Sequence, residues 1–150
     1  QELMAPPNVA GWPAFYQQPL YYKCWITADR LAWREYVMSA CKNPPGGFYH
    51  YPNIQADWMK YIKSFTTPSD PNKLVQELLR QLLSKEVPLT DRNTLKINFL
   101  LNKVPIDTNW TNLWNSYLQT PTNDTLKNDI LNRFSNLLGN ILNSPDYQLM

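Results

Sequence analysis

Thr67-Pro68-Ser69-Asp70-Pro71-Asn72-Lys73-Leu74-Val75-Gln76-Glu77-Leu78-Leu79-Arg80-Gln81-Leu82-Leu83 is the stretch whose reading decides the fold class. Asp70 is of the type that accepts hydrogen bonds from the free N–H groups of a helix's first turn. Pro71 follows at the position where a missing N–H does no harm. Leu74, Val75, Leu78, Leu79, Leu82 and Leu83 then recur at the helical period, in a stripe that runs out before Pro88. A capped start, one apolar face and a proline stop predict an amphipathic helix that has to bury its stripe against other helices.

The pattern repeats downstream. Thr90 predicts a cap for a helix over about 91 to 102, carrying Leu95, Phe99 and Leu100 and ended by Pro105. Asp107 or Thr108 opens the next, where Trp110, Leu113, Trp114, Tyr117 and Leu118 make the clearest amphipathic pattern in the chain, closed by Pro121. Leu126, Ile130, Phe134, Leu137, Leu138, Ile141 and Leu142 predict a last helix over about 123 to 143, stopped at Ser144-Pro145. Gly139 inside it costs about 1 kcal/mol relative to alanine, so either another backbone passes close or that turn is loose.

Upstream the signals thin out. Asp57 to Phe65 places Trp58, Tyr61, Ile62 and Phe65 on one face of a short helix or, over so few residues, a strand. Thr27 as cap, Asp29 in the first turn, and Trp33, Tyr36, Val37, Ala40 and Cys41 at helical spacing predict a helix over about 28 to 42, which Asn43-Pro44-Pro45-Gly46-Gly47 stops. Before it, Pro6-Pro7-Asn8-Val9-Ala10-Gly11-Trp12-Pro13 is a rigid, irregular loop, because Pro6, Pro7 and Pro13 fix φ and withhold donors. Trp12 is held on that frame either as a plug in the core or as a platform for a ligand or partner.

Every long periodic segment has the helical period and no hairpin signal appears. The expected class is all-α, with an irregular proline- and aromatic-rich N-terminal region packed on about five to six helices. Fourteen of the twenty aromatic residues lie between Trp12 and Phe65, whereas the later residues depend on leucine. The chain therefore reads as one domain over residues 1–150, with an aromatic loop-and-helix half over 1–65 and a four-helix half over 66–150 that share one core.

The chemistry is bounded as firmly by what is missing. A net charge of +2 from scattered groups, with no basic run, gives no surface for nucleic acid. No apolar run approaches the roughly 18 to 20 residues of a membrane span. His50 is the only histidine, which rules out a multi-histidine metal site within these residues. If the helix over 28 to 42 forms, it holds Cys24 and Cys41 roughly 20 Å apart, and free thiols are expected. A Cys–His nucleophile would need one of these cysteines beside His50 with Asn53 or Asp57 to orient it. The plain reading is a small buried thiol and a loop histidine. A glycosidase-like carboxylate pair would draw on Asp29, Glu35 and Asp57. Gly46-Gly47 lacks the Lys-Ser/Thr pair of a phosphate loop. No catalytic residue, metal or cofactor is predicted.

Tyr16, Tyr21, Tyr22, Tyr49 and Tyr51 are either an aromatic face that stacks on sugars or a partner, or loop packing with the hydroxyls outward. Asn109-Trp110-Thr111 and Asn123-Asp124-Thr125 match the N-glycosylation pattern by chance, and Asp124-Thr125-Leu126 is a short match to a bacterial O-glycosylation pattern. Gln1-Glu2-Leu3-Met4 reads as the last turn of a helix cut in its middle. A piece of a longer protein is expected, and one that self-associates near Leu3, Met4, Val9 and Trp12.

Pro6-Pro7-Asn8-Val9-Ala10-Gly11-Trp12-Pro13, then Trp25-Ile26-Thr27 leading towards Leu31, and finally Leu142-Asn143-Ser144-Pro145-Asp146-Tyr147-Gln148 resemble the C-terminal part of the bacterial family called "domain of unknown function 1800". The tyrosine-rich insertion after Trp12 looks like members from the Bacteroidetes group. The resemblance implies an all-helical build, a longer exported protein, and a periplasmic or extracellular location. Its implied partners are the N-terminal region of the same protein and a second exported protein encoded beside it. It carries no reaction, catalytic residue or cofactor. Two functions are consistent with all this: a non-catalytic helical structural or interaction module, or part of the wall of an enzyme active site or carbohydrate-binding face whose key residues lie upstream.

Overall fold

The structure is a computed structural model that describes residues 32–36 and 56–148. The chain divides into two units, residues 1–36 and 37–150. In the first, residues 32–36 are helical, within the helix expected over 28 to 42. Trp33 and Tyr36, which the spacing assigns to the apolar face, are 62% and 48% exposed and meet edge to face, 5.7 Å between ring centroids.

In the second unit the helices run α1 (Trp58–Lys63), α2 (Pro71–Leu82), α3 (Leu89–Leu95) continuing into a π-helical turn (Lys96–Leu100), α4 (Thr108–Gln119), α5 (Asp124–Leu142) and a last turn α6 (Pro145–Gln148). The fold is all-α, with no strand among the described residues. Segment 57–65 is thereby settled as helix, and Asp57 is its cap, accepting from the Lys60 N–H at 2.9 Å.

Asp70 caps α2 as its type predicts, accepting from the Asn72 and Lys73 N–H groups at 2.9 and 3.4 Å. Asn123 does the same for α5, accepting from Thr125 and Leu126. Asp70→Ala is expected to lower stability by about 1 kcal/mol and Asp70→Asn by a few tenths, because the amide oxygen still accepts. Urea unfolding followed by circular dichroism checks this. Equal losses in the two variants would mean that the charge, and not the acceptor, is what matters.

One expected cap does not form, and one helix opens where expected but without a side-chain cap bond. Helix α3 begins a residue before Thr90, with Pro88 at the cap position and no side-chain cap bond. The Pro88 carbonyl serves Asp91 and Arg92 directly. Asp107 precedes α4 in helical conformation without capping it, because its carboxylate is drawn to Lys96 and Asn72. The helix expected to reach 102 instead ends at Leu100 through the π turn, in which Leu101 N–H reaches the Lys96 carbonyl at 2.9 Å. Asn102 and Lys103 then adopt left-handed backbone (φ 54° and 65°), and Lys103 N–H closes on the Ile97 carbonyl at 2.7 Å. Asparagine tolerates that region but lysine has no preference for it, so at Lys103 the reversal answers tertiary demand and not residue preference.

The core is one cluster. Its fully buried side chains include Trp110, Phe134, Ile62, Leu74, Leu78, Leu100 and Ile141. Phe134 lies 6.4, 6.0 and 6.3 Å from the rings of Trp58, Tyr61 and Phe65, so the aromatic residues of α1 pack into the leucine core. Across the change in composition near Thr66 the described residues thus share one core. Lys63 joins α1 to α4, its ammonium donating to the Tyr117 hydroxyl at 3.2 Å and lying 5.1 Å from that ring's centroid. Gly139 is buried, and its carbonyl accepts from Asn143 at 3.1 Å, so that turn of α5 is intact and the loose-turn alternative falls away. Leu118, expected on the α4 stripe, is 53% exposed, at the edge of the face that Trp110, Trp114 and Tyr117 bury.

Candidate functional site

Helix α2 ends at Leu82, and Leu83 leaves it in extended conformation (φ −118°, ψ 138°), which carries the chain through Val87 to Pro88 and into α3. Between this connection, α3 and the last turns of α5 lies a groove of about 270 Å³. Leu79, Leu83, Val87, Leu95 and Ile141 line it with apolar surface, and Asp91, Thr94, Asn140, Ser144 and Asp146 add polar groups. Ser144 is committed to the helix end, its hydroxyl donating to the Ile141 carbonyl at 2.7 Å and accepting from the Tyr147 N–H at 3.4 Å. Asp146 is held by Lys85 at 2.6 Å. A groove of this size, floored by aliphatic groups and without a base beside its hydroxyls, is shaped to take apolar side chains and not to activate a nucleophile.

Leu79 and Val87 also line a smaller recess on the other side of the same connection, walled by Gln76, Arg80, Lys85, Glu86 and Arg92. With its oxygen turned inward, the Gln76 amide accepts from Arg80 Nη2 at 3.2 Å and from Arg92 Nη1 at 3.3 Å.

A third polar cluster is closed upon itself. Lys96 is 8% exposed; its ammonium donates to Asn72 Oδ1 at 2.6 Å and pairs with Asp107 Oδ1 at 2.8 Å, while Asn72 Nδ2 donates to Asp107 Oδ2 at 2.7 Å. The hydrogen bond from Lys96 holds the Asp107 carboxyl below its ordinary value against an opposing desolvation, and Asn72 and the lysine charge add to the lowering. Every member of the triangle is satisfied by the other two. It ties the start of α2 to the π turn and to the start of α4, and this is a structural role. Nearby, Trp110 Nε1 donates to the Pro68 carbonyl at 2.8 Å and Thr111 Oγ1 to the Ser69 carbonyl at 2.9 Å. Asn109 accepts from Arg133 Nη1 at 2.6 Å, while Arg133 also grips Asp129 through two nitrogens at 2.9 and 2.8 Å. The side chains of both N-glycosylation-like triplets thus have packing and capping roles.

Compared with protein-family models, curated proteins and solved structures, the chain finds no match.

The sequence-predicted site residues Pro6, Pro7, Asn8, Gly11, Trp12, Pro13 and Trp25, the tyrosines 16, 21, 22, 49 and 51, and Cys24, Cys41 and His50 lie outside the described residues. Of the acids weighed for catalysis, Asp57 is a helix cap. Among the described residues no group of His, Cys, Asp and Glu could hold a metal ion, and no helix is long and apolar enough to cross a membrane. Sequence reasoning missed both the groove and the recess. Lys96 did carry a legible signal, since it sits three and four residues before Phe99 and Leu100 on the face the stripe buries. The recess carried none, because Gln76, Arg80 and Arg92 look like ordinary solvated positions on two separate helices.

Proposed function

We propose that this chain is a non-catalytic helical interaction module of an exported bacterial protein, a Bacteroidetes-like member of the family it resembles, working in the periplasm or outside the cell. The observation that carries the reading is the groove between α2, α3 and α5, with its aliphatic floor and short polar rim. At about 270 Å³ it falls just under the usual range for small-molecule sites and suits one or two apolar side chains of a polypeptide. The rim carboxylate of Asp91 favours a basic residue beside that anchor, whereas Asp146 is already paired with Lys85. The occupant is a segment of the second exported protein, apolar at its centre and cationic at its flank.

The reading is tested with an environment-sensitive fluorophore on Thr94→Cys, in a background where Cys24 and Cys41 are serine, titrated with the co-encoded protein. The expected result is a saturable blue shift at position 94. A label on Thr122→Cys, an exposed site at the other end of α5 and about 27 Å away along the helix, should stay silent. Silence at both positions, or the same response at both, would overturn the groove as the partner site.

A further inference from the structure

In the recess beside the groove two guanidinium groups converge on one neutral acceptor, and only one of them has a carboxylate partner. Arg80 reaches it from α2 and Arg92 from α3, and both donate to the same Gln76 oxygen. The other charges around it are already engaged or directed outward. Lys85 is drawn off by Asp146 at 2.6 Å, and Arg80 pairs at 3.6 Å with Glu86, which also lines the recess and whose side chain is 89% exposed. Arg92 makes no ion pair among the described residues. Its Nε is buried and has no hydrogen-bond partner. A buried, charged donor left without an acceptor, on a side chain that lines an opening, marks a place where an acceptor belongs.

We propose that this recess is a carboxylate-binding site, with Arg92 as the principal ligand, Arg80 and the Gln76 amide completing it, and Leu79 and Val87 as its apolar back wall. The size fixes the class. The interior, at about 20 Å³, admits one or two water-sized groups, which the two oxygens of a carboxylate satisfy and the three free oxygens of a phosphate ester exceed. The donor geometry agrees, because the Nε–Nη edge of an arginine offers two parallel N–H bonds to a planar pair of oxygens. The carboxylate is either that of a small acid or that of an Asp or Glu side chain on another polypeptide. The site shares Leu79 and Val87 with the groove, but its polar ligands are its own, so the proposal stands whether or not the groove takes a partner.

The test follows the arginine Nε–Hε resonances by NMR while sodium acetate replaces sodium chloride at constant ionic strength. A saturable shift at Arg92 Nε is expected. Arg92→Gln should weaken acetate binding about tenfold or more, since a charge-assisted pair is lost. Arg80→Gln keeps Arg92 and guards against misfolding of the first variant; it should weaken binding by a smaller factor. Lys60→Gln, at an exposed position of α1, should leave binding unchanged. The amide of N-acetylglutamate distinguishes the sources, binding more tightly than acetate if a protein side chain is the natural occupant and less tightly if a small acid is. An Arg92 resonance that stays put throughout the titration, or the same acetate affinity in the Lys60→Gln and Arg92→Gln proteins when both are read at Arg80 Nε, would overturn the proposal. So would inorganic phosphate saturating the site at lower concentration than acetate.

Discussion

Trp110→Ala is expected to destabilise the bundle by about 3 to 5 kcal/mol, the range for deleting a large buried aromatic group. The indole is fully buried, stacks on Trp114 at 6.2 Å between centroids, and donates to the Pro68 carbonyl at 2.8 Å. It therefore fills the core and also pins the turn from which α2 starts. The two contributions separate in Trp110→Phe, which keeps a ring but leaves the carbonyl of a half-buried proline without its donor, at about 1 kcal/mol for the bond on top of the smaller ring's packing loss. Urea unfolding is best read by far-ultraviolet circular dichroism, since the substitution alters fluorescence. A Trp110→Ala midpoint within error of the parent would mean that the α2–α4 contact is dispensable and that the indole is no part of the folded core.

Asp107→Ala ranks next, at about 3 kcal/mol, towards the lower end for breaking a buried pair because the carboxylate itself is half exposed. The loss arises chiefly at Lys96, whose nearly buried ammonium would keep only Asn72 as a partner. The effect has a pH signature. Asp107 has its folded pKa depressed by the Lys96 hydrogen bond, so its contribution is fully present above the ordinary carboxylate value near 4 and is lost as pH falls through the lower folded value. Between neutral pH and about pH 5 the parent should show no change from this group, and below about pH 4 it should lose stability. Asp107→Asn, which keeps an acceptor but cannot titrate, should be less stable than the parent at neutral pH and should converge with it in acid. Parallel stability curves for the two proteins down to low pH would show that Asp107 is not coupled to Lys96 in this way.

The helices were legible where residue type and spacing agree on one local answer. Asp70-Pro71 and Asn123 specify starts within a single turn, and the leucines after them repeat at a period only a helix satisfies. Thr90 was misread because a cap signal names a side chain able to accept from backbone without showing whether a cap is needed, and the Pro88 carbonyl already serves the first turn. Asp107 stands where its helix opens, but its carboxylate goes to an ammonium carried to it by the π turn, a partner no local signal names. The π turn had no local mark at all, because Lys96-Ile97-Asn98-Phe99-Leu100 would continue an α-helix equally well. The groove and the recess were invisible because their residues come from segments far apart in sequence, each conventional on its own helix.

The sequence by itself determined an all-helical chain, the positions of most helices in residues 57–145, and the side chains that form the core, because these follow from local periodicity, capping and proline stops. Only the tertiary structure decided that the aromatic face of α1 packs into the leucine core, that Lys96 is buried against Asp107 and Asn72, and that Arg80 and Arg92 converge on Gln76. Those pairings depend on where whole helices lie against each other, and that arrangement is set by the summed burial of many apolar groups, a quantity no single stretch of sequence contains.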